Sequence, residues 1–296
     1  MDSPDEALRV RVERLLGKRA TSWRHAAGGY TPAERWIAGF EDGSSAFVKA
    51  GSHPLVAGWL RDEYRKVYSQ TRAPFLPELL AWDDDGEMPL LVLEDLSEAY
   101  WPPPWRPGDV SRVLAVQADL RGLAWANLPT LVELGGQELY STWRRVRDDP
   151  VPFLGLGLAS QDWLDAALPA LQEAADSAVL EGEDVVHFDM RSDNLCFAND
   201  RCLLVDWNHV CRGNGEIDLA AWLPSLHSEG GPAPEALLPD APHWAALVCG
   251  YFASNAGLPP IPNAPRVRQV QLSQLRSALP WAVRALGLPP LDGASV

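Results

Sequence analysis

A run of prolines divides this chain and limits what it can fold into. Trp101-Pro102-Pro103-Pro104-Trp105-Arg106-Pro107 can be neither helix interior nor central strand, because proline lacks the N–H that both ladders need. The hydrophobic pattern changes across it. Before it, Arg35-Trp36-Ile37-Ala38-Gly39-Phe40 leads through an Asp42-Gly43 turn into Ser45-Ala46-Phe47-Val48-Lys49-Ala50. Likewise Leu79-Leu80-Ala81-Trp82 leads through Asp83-Asp84-Asp85-Gly86 into Leu90-Leu91-Val92-Leu93, so two hairpins are predicted. Between them, Leu55, Val56, Trp59, Leu60, Tyr64, Val67 and Tyr68 recur at helix spacing over 54–70. After the connector the pattern is helical: a stripe over 110–127, a helix capped by Ser160 and running to about 178, and helices from Leu219 to about Leu286. Only short β segments at 185–188 and 202–205 interrupt it. Strands followed by helices predict an α+β chain in two lobes, a small β-rich one over 1–95 and a larger, mainly helical one over 96–296.

Composition narrows the function classes. A net charge of -15 argues against a general DNA- or RNA-binding surface, which needs Lys and Arg to displace counterions. The charged, helix-patterned MDSPDEALRVRVERLL has no apolar signal core, and no stretch approaches the roughly 18 apolar residues of a membrane span. A cytoplasmic location is the expectation, with no membrane and no nucleic-acid partner. Cys196, Cys202, Cys211 and Cys249 show no CxxC spacing, which disfavours a zinc site. If Asn199-Asp200 closes a two-residue hairpin, 197 pairs with 202 and 196 with 203. The Cys196 and Cys202 sulfurs then point to opposite faces, and no disulfide is expected.

The chemistry concentrates in His187-Phe188-Asp189-Met190-Arg191-Ser192-Asp193-Asn194, a polar stretch between an apolar strand and a hairpin. Twelve residues past Asn194 stands Asp206, in Leu203-Leu204-Val205-Asp206-Trp207, and twelve further stands Asp218, in Ile217-Asp218-Leu219-Ala220. Phosphoryl transfer needs such parts: a carboxylate to orient a hydroxyl and accept its proton, and hard oxygen ligands to hold Mg²⁺ against phosphates. In the first lobe, Lys49 ends a strand. A buried lysine needs a carboxylate, and Glu63 on the following helix is the best-placed candidate, with Asp62 one residue off that face. The triple Asp83-Asp84-Asp85 sits in a turn and reads as solvated rather than as a metal cluster. Among the thirteen tryptophans, Trp101, Trp105 and Trp207 are candidates for stacking on a sugar, against the commoner role of core filler.

HxDxxxxN, then a hydrophobic-Asp, then DLA resembles the aminoglycoside phosphotransferase family, a small-molecule branch of the protein-kinase-like fold to which choline and homoserine kinases are similar. The resemblance covers roughly residues 25–250. It implies a two-lobed kinase-like fold and a Mg²⁺-dependent transfer of the γ-phosphate of ATP or GTP to a hydroxyl of a small molecule, an amino sugar or aminoglycoside first. It further implies that Asp189 is the catalytic base, Asn194 and Asp206 hold Mg²⁺, His187 fixes the loop from beneath, and Asp218 anchors it from the next helix. Lys49 matches the strand lysine on the α- and β-phosphates. Leu93-Glu94-Asp95-Leu96 falls at the hinge, where backbone groups of Glu94 and Leu96 would meet a purine. Two positions depart from the family: Arg191, often His there, could stabilise charge on the transferred group, and Asp193, usually small, could bind a substrate ammonium. Gly28-Gly29-Tyr30-Thr31 marks the phosphate loop only weakly. Rival readings are a kinase of another metabolite (sugar, choline-like alcohol or hydroxy amino acid) and a nucleotide-binding pseudokinase. A protein kinase is disfavoured by the missing HRD, DFG and APE.

Overall fold

The structure, a computed structural model, describes residues 3–26, 33–51, 53–262 and 264–294; Gly28-Gly29-Tyr30-Thr31 lies outside the described residues. In chain order the elements are α1 (Glu6–Leu16), β1 (Ala20–His25), β2 (Glu34–Phe40), β3 (Ser45–Ala50), α2 (Pro54–Glu63), β4 (Leu79–Asp83), β5 (Leu90–Glu94), α3 (Asp109–Arg121), α4 (Gln137–Tyr140), α5 (Thr142–Asp148), α6 (Val151–Leu154), α7 (Gln161–Asp176), β6 (Asp184–Val186), β7 (Leu195–Ala198), β8 (Arg201–Leu204), β9 (Cys211–Gly213), α8 (Glu216–Ser228), α9 (Pro234–Leu237), α10 (Pro242–Ala253) and α11 (Val267–Leu286). They form two compact units. The first takes 1–101, 125–127 and 193–208, and the second takes 102–124, 128–192 and 209–296.

The first unit is built on an antiparallel five-stranded sheet in the order β1-β2-β3-β5-β4. Successive side chains on a strand alternate between faces, and directly paired residues share one. One face therefore carries Trp36, Ala38, Phe40, Ala46, Val48, Ala50, Leu90 and Val92, and α1 lays Leu8 and Val12 into it as the core. Asp5 caps α1 by accepting the Leu8 N–H at 2.7 Å, and Gly17, at φ 64°, ends it. Arg11, on the same helix, reaches Asp83, Asp85 and the Met88 carbonyl, while Arg61 holds Asp84. The acidic turn is solvated as expected at Asp84 and Asp85, and two arginines also hold it, so that it fastens α1 and α2 to the β4–β5 end of the sheet. α2 stops at Glu63 and continues as one wider π turn over Tyr64–Tyr68, where Tyr64 stacks on Trp82 at 4.1 Å.

The hairpin β7–β8 also belongs to the first unit. Asn199 and Asp200 take φ of 47° and 64°, the left-handed pair a two-residue turn requires. The register is Phe197↔Cys202 and Cys196↔Leu203, and all four cysteines are buried free thiols. Backbone hydrogen bonds tie this hairpin to the sheet's own segments, at Tyr100–Phe197 and from the Leu204 N–H to the Phe75 carbonyl. Trp207 is completely buried against Phe75 and Trp125, which removes it from the sugar-stacking candidates.

The second unit is helical around α10, whose Trp244–Gly250 run is buried on every side by α5, α7, α8 and α11. Gly250 lets α5 approach closely: a Cβ there would strike Thr142 and Trp143, and the Trp143 indole N–H instead donates to the Ala246 carbonyl at 2.8 Å. The helix expected over 110–127 ends at Arg121, with Gly122 as its cap. Ser160 accepts the Trp163 N–H at 3.1 Å and starts α7 where expected. The segments at 185–188 and 202–205 do not pair with each other; β6 pairs with β9, and β8 with β7. Among the described residues, no helix is long and apolar enough to cross a membrane.

Candidate active site

In the first unit the sheet face opposite the core has two chemically distinct ends. Arg35 pairs with Lys49, and two residues along Ile37 pairs with Phe47, which pairs in turn with Leu93. The alternation that buries Trp36 and Val48 under α1 necessarily projects Arg35 and Lys49 together on this other face. A cationic end and an apolar end thus share one surface.

Lys49 is buried, 8% exposed, and so is Glu63, 2% exposed. They meet at 2.7 Å, so of the two carboxylates considered Glu63 is the one that reaches the lysine. Asp62 turns outward to Lys66 at 3.2 Å. The Asp206 carboxylate lies 3.7 Å from the Lys49 ammonium and stays about one-third exposed, at 32%. Two carboxylates about one buried ammonium offset its desolvation.

Asp206 leaves β8 at φ 62°, a left-handed conformation uncommon for a residue with a side chain. The Asn208 amide donates to its carboxylate and holds it. Asn194 enters β7 beside it: the Val205 N–H donates to the Asn194 carbonyl at 2.9 Å, one rung beyond the Leu195–Leu204 pair. The hairpin therefore brings Asn194 and Asp206 to its open end as neighbours, although twelve residues separate them in sequence. Their amide and carboxylate oxygens are hard donors of the kind Mg²⁺ takes, and two such ligands leave most of an octahedral shell to phosphate and water. Among the described residues no cluster of three or more His, Cys, Asp or Glu side chains forms a metal site of the all-protein kind.

At the 93–96 segment, the Glu94 N–H donates to the Glu78 carbonyl at 2.9 Å, and its carboxylate pairs with Arg201 of β8. The Leu96 carbonyl accepts from the Ala99 N–H at 3.0 Å and from the Trp101 indole at 3.3 Å. Asp193 closes a single 3-10 turn over Ser192–Asn194.

The second unit holds the preceding loop. The Asp218 carboxylate, at the first turn of α8, accepts the backbone N–H of His187 at 2.7 Å and of Phe188 at 2.8 Å. That double anchor holds Phe188 at φ 62° and turns the chain sharply before Asp189. Burial pushes the Asp218 carboxyl up to about 7, while the two N–H donors and the Arg121 guanidinium pull it down. His187 is completely buried, and its Nδ1 accepts the Asp189 N–H at 3.3 Å. The Asp189 side chain is 30% exposed, with Arg191 Nε 3.3 Å from its Oδ1. The Ser192 hydroxyl donates to Glu229 at the end of α8 at 2.6 Å, and the Trp105 indole donates to the other oxygen of that carboxylate at 2.9 Å. Lys49, Glu63, Asn194 and Asp206 are thus gathered in one unit, and His187, Asp189, Arg191 and Asp218 in the other. Arg35, paired with Lys49, and Glu229, held by Ser192, are charged neighbours of these residues that the sequence does not single out.

The architecture is that of the two-lobed protein-kinase-like fold, a small antiparallel sheet unit followed by a larger helical one. It matches an aminoglycoside phosphotransferase from Alicyclobacillus acidocaldarius with a TM-score of 0.59 at 14% identity, over 97% of this chain and 96% of that one. A spectinomycin phosphotransferase solved with ADP and spectinomycin gives 0.57 at 10% identity, over 96% and 99%. A choline/ethanolamine kinase family protein from Mesorhizobium loti gives 0.54 at 15%, over 90% and 91%. No protein-family model matches the sequence, and neither does any curated protein.

Proposed function

We propose that this chain is a Mg²⁺-dependent small-molecule kinase that moves the γ-phosphate of a nucleoside triphosphate to a substrate hydroxyl. The observation that carries the reading is the first unit's two-ended face, with the Asn194–Asp206 pair at the hairpin mouth and Asp206 3.7 Å from Lys49. A nucleotide has the same polarity: a flat apolar base, then a polyanion. The base would lie toward Ile37, Phe47 and Leu93, hydrogen-bonding the Leu96 N–H and the Glu94 carbonyl. Lys49, held in place by Glu63, would contact the α- and β-phosphates. Asn194 and Asp206 would hold Mg²⁺, which when bound supplies charge neutralisation on the phosphate oxygens.

Asp189 would accept the hydroxyl proton as the new O–P bond forms and the bond to the β–γ bridging oxygen breaks, leaving the nucleoside diphosphate. Arg191 would offset charge on the transferred group. Because such a transition state is loose, orientation outweighs base strength, and the Asp218 anchor through His187 and Phe188 serves orientation. We place the acceptor among amino sugars and aminoglycosides. The net charge of -15 suits a cation, Asp193 offers a carboxylate for an ammonium, and a solved structure of like fold is named as an aminoglycoside phosphotransferase.

The test is nucleotide consumption with Mg²⁺ across amino sugars, aminoglycosides, choline-like alcohols, sugars and hydroxy amino acids, for the wild type and Asp189→Asn. The variant should lose about 10²- to 10⁴-fold in turnover with nucleotide affinity nearly unchanged. A variant as fast as the wild type removes Asp189 from the mechanism. Tight nucleotide binding without transfer to any acceptor would make the chain a nucleotide-binding module instead.

A further inference from the structure

One helix, α8, meets the 187–192 loop at both of its ends. In its first turn Asp218 takes the backbone N–H groups of His187 and Phe188, just before Asp189. Just past its last residue Glu229 takes the Ser192 hydroxyl at 2.6 Å, just after Arg191. Midway, Met190 is buried, and its sulfur accepts from the Gln117 side-chain amide of α3 at 3.2 Å. Phe188, Met190 and Ser192 are thus held, and the partly exposed Asp189 and Arg191 stand between them.

Helix stability gives no reason for a carboxylate at position 229. The C-terminal end of a helix carries partial negative charge, so an anionic side chain there is unfavourable. The backbone closes that end by itself: the Glu229 N–H donates to the Ser225 and Leu226 carbonyls, Gly230 turns at φ 88°, and the Gly231 N–H returns to Leu226. The second Glu229 oxygen accepts the Trp105 indole N–H at 2.9 Å, and Trp105 packs edge-on against the fully buried Trp222 of the same helix at 5.4 Å. With both oxygens engaged, the carboxylate is a fixed post to which the loop is tied.

We propose that Glu229 is a positioning residue, which through Ser192 fixes the exit of this loop and keeps Asp189 and Arg191 in their working orientation. This rests on the kinase reading of Asp189. Acting through the loop, Glu229 governs turnover and not nucleotide affinity.

The experiment measures kcat and the nucleotide KM with ATP, Mg²⁺ and the fastest acceptor of the panel above, together with amide exchange over 188–192. It uses the full chain and the variants Glu229→Ala, Glu229→Gln, Ser192→Ala and the double alanine, with thermal melts to check folding. Glu229→Ala and Ser192→Ala should each lower kcat by about 10- to 100-fold with KM within about 3-fold, and the double variant should lose no more than either alone. Glu229→Gln keeps an oxygen for the Ser192 hydroxyl and should restore kcat to within about 3-fold of the wild type. Loop exchange should quicken in both alanine variants while α10 stays protected. Ser192→Ala carries the test if Glu229→Ala does not fold. Additive losses, a glutamine variant as slow as the alanine, or a KM that rises with the fall in kcat overturns the positioning role. Unchanged loop exchange overturns it whatever the turnover. A wild type that transfers phosphate to no acceptor overturns the kinase reading instead, and exchange alone then decides whether Glu229 holds the loop.

Discussion

The Lys49–Glu63 pair sets up a sharp energetic expectation. Glu63→Gln keeps the side chain's shape and removes its charge. At an effective dielectric of about 20, a unit pair at the observed 2.7 Å attracts by about 6 kcal/mol and one at 3.7 Å by about 4 kcal/mol, before desolvation. Breaking a buried pair typically destabilises by about 3–5 kcal/mol, because one charge is left without its partner. Here Asp206 remains near Lys49, which puts the loss at the low end, about 3 kcal/mol. Lys49→Met leaves the Glu63 and Asp206 carboxylates without the Lys49 ammonium and should cost a similar amount. The double variant should be destabilised by about 2 kcal/mol less than the sum of the two, since neither charge is then left behind. Urea unfolding followed by tryptophan fluorescence measures all four proteins. Additive losses, or a Glu63→Gln midpoint equal to the wild type, would refute the claim that the pair is held by mutual compensation.

Three further outcomes follow from contacts described above. Burial lifts the Asp218 carboxyl from its ordinary 3.8 to about 7 when folded, so the folded chain binds the extra proton between those values. Stability from this group is fully present below about 4 and is lost as pH rises through 7, by up to about 4 kcal/mol, and Asp218→Asn should flatten that slope in pH-dependent denaturation. Arg11→Ala should release α1 from the acidic turn at a loss of about 2 kcal/mol, seen as faster amide exchange in α1 than in β2 and β3; uniform exchange would contradict it. Ser160→Ala should lower stability by about 1 kcal/mol through the lost cap of α7, whereas Ser160→Asp, which can still accept the Trp163 N–H, should retain most of it in thermal melts.

What sequence shows of this molecule follows the range of the forces involved. The β2–β3 and β4–β5 hairpins are local, with alternation on both sides of an Asp/Gly turn, and they read directly. β1, Ala20–His25, carries no such signal, because it is an edge strand with most side chains in solvent and no alternation marks it. β9 has three residues and exists through its pairing with β6, 25 positions earlier at Val186–Cys211. α3 stops at Arg121 because Gly122 ends the ladder, although the apolar spacing runs on to Leu123. The turn at 83–85 reads as solvated, and Asp84 and Asp85 are exposed; what its sequence does not show is the pairing with Arg11 and Arg61, which are remote along the chain. Of the candidate site residues, Asp189, Asn194, Asp206 and Asp218 stand out by spacing. Arg35 needs the register of two strands before it can be placed beside Lys49, and Glu229 needs the full length of α8 to reach Ser192.

The four buried thiols give the molecule a built-in stopwatch. Cys196 and Cys202 lie in the first unit and Cys211 and Cys249 in the second, each shielded from any reagent while its surroundings stay closed. Burial lifts the Cys196 thiol to about 12 and raises Cys249 as well, so neither reacts until it is uncovered. Alkylation timed under native conditions thus clocks each half separately, and added nucleotide should slow the first pair's clock more than the second's.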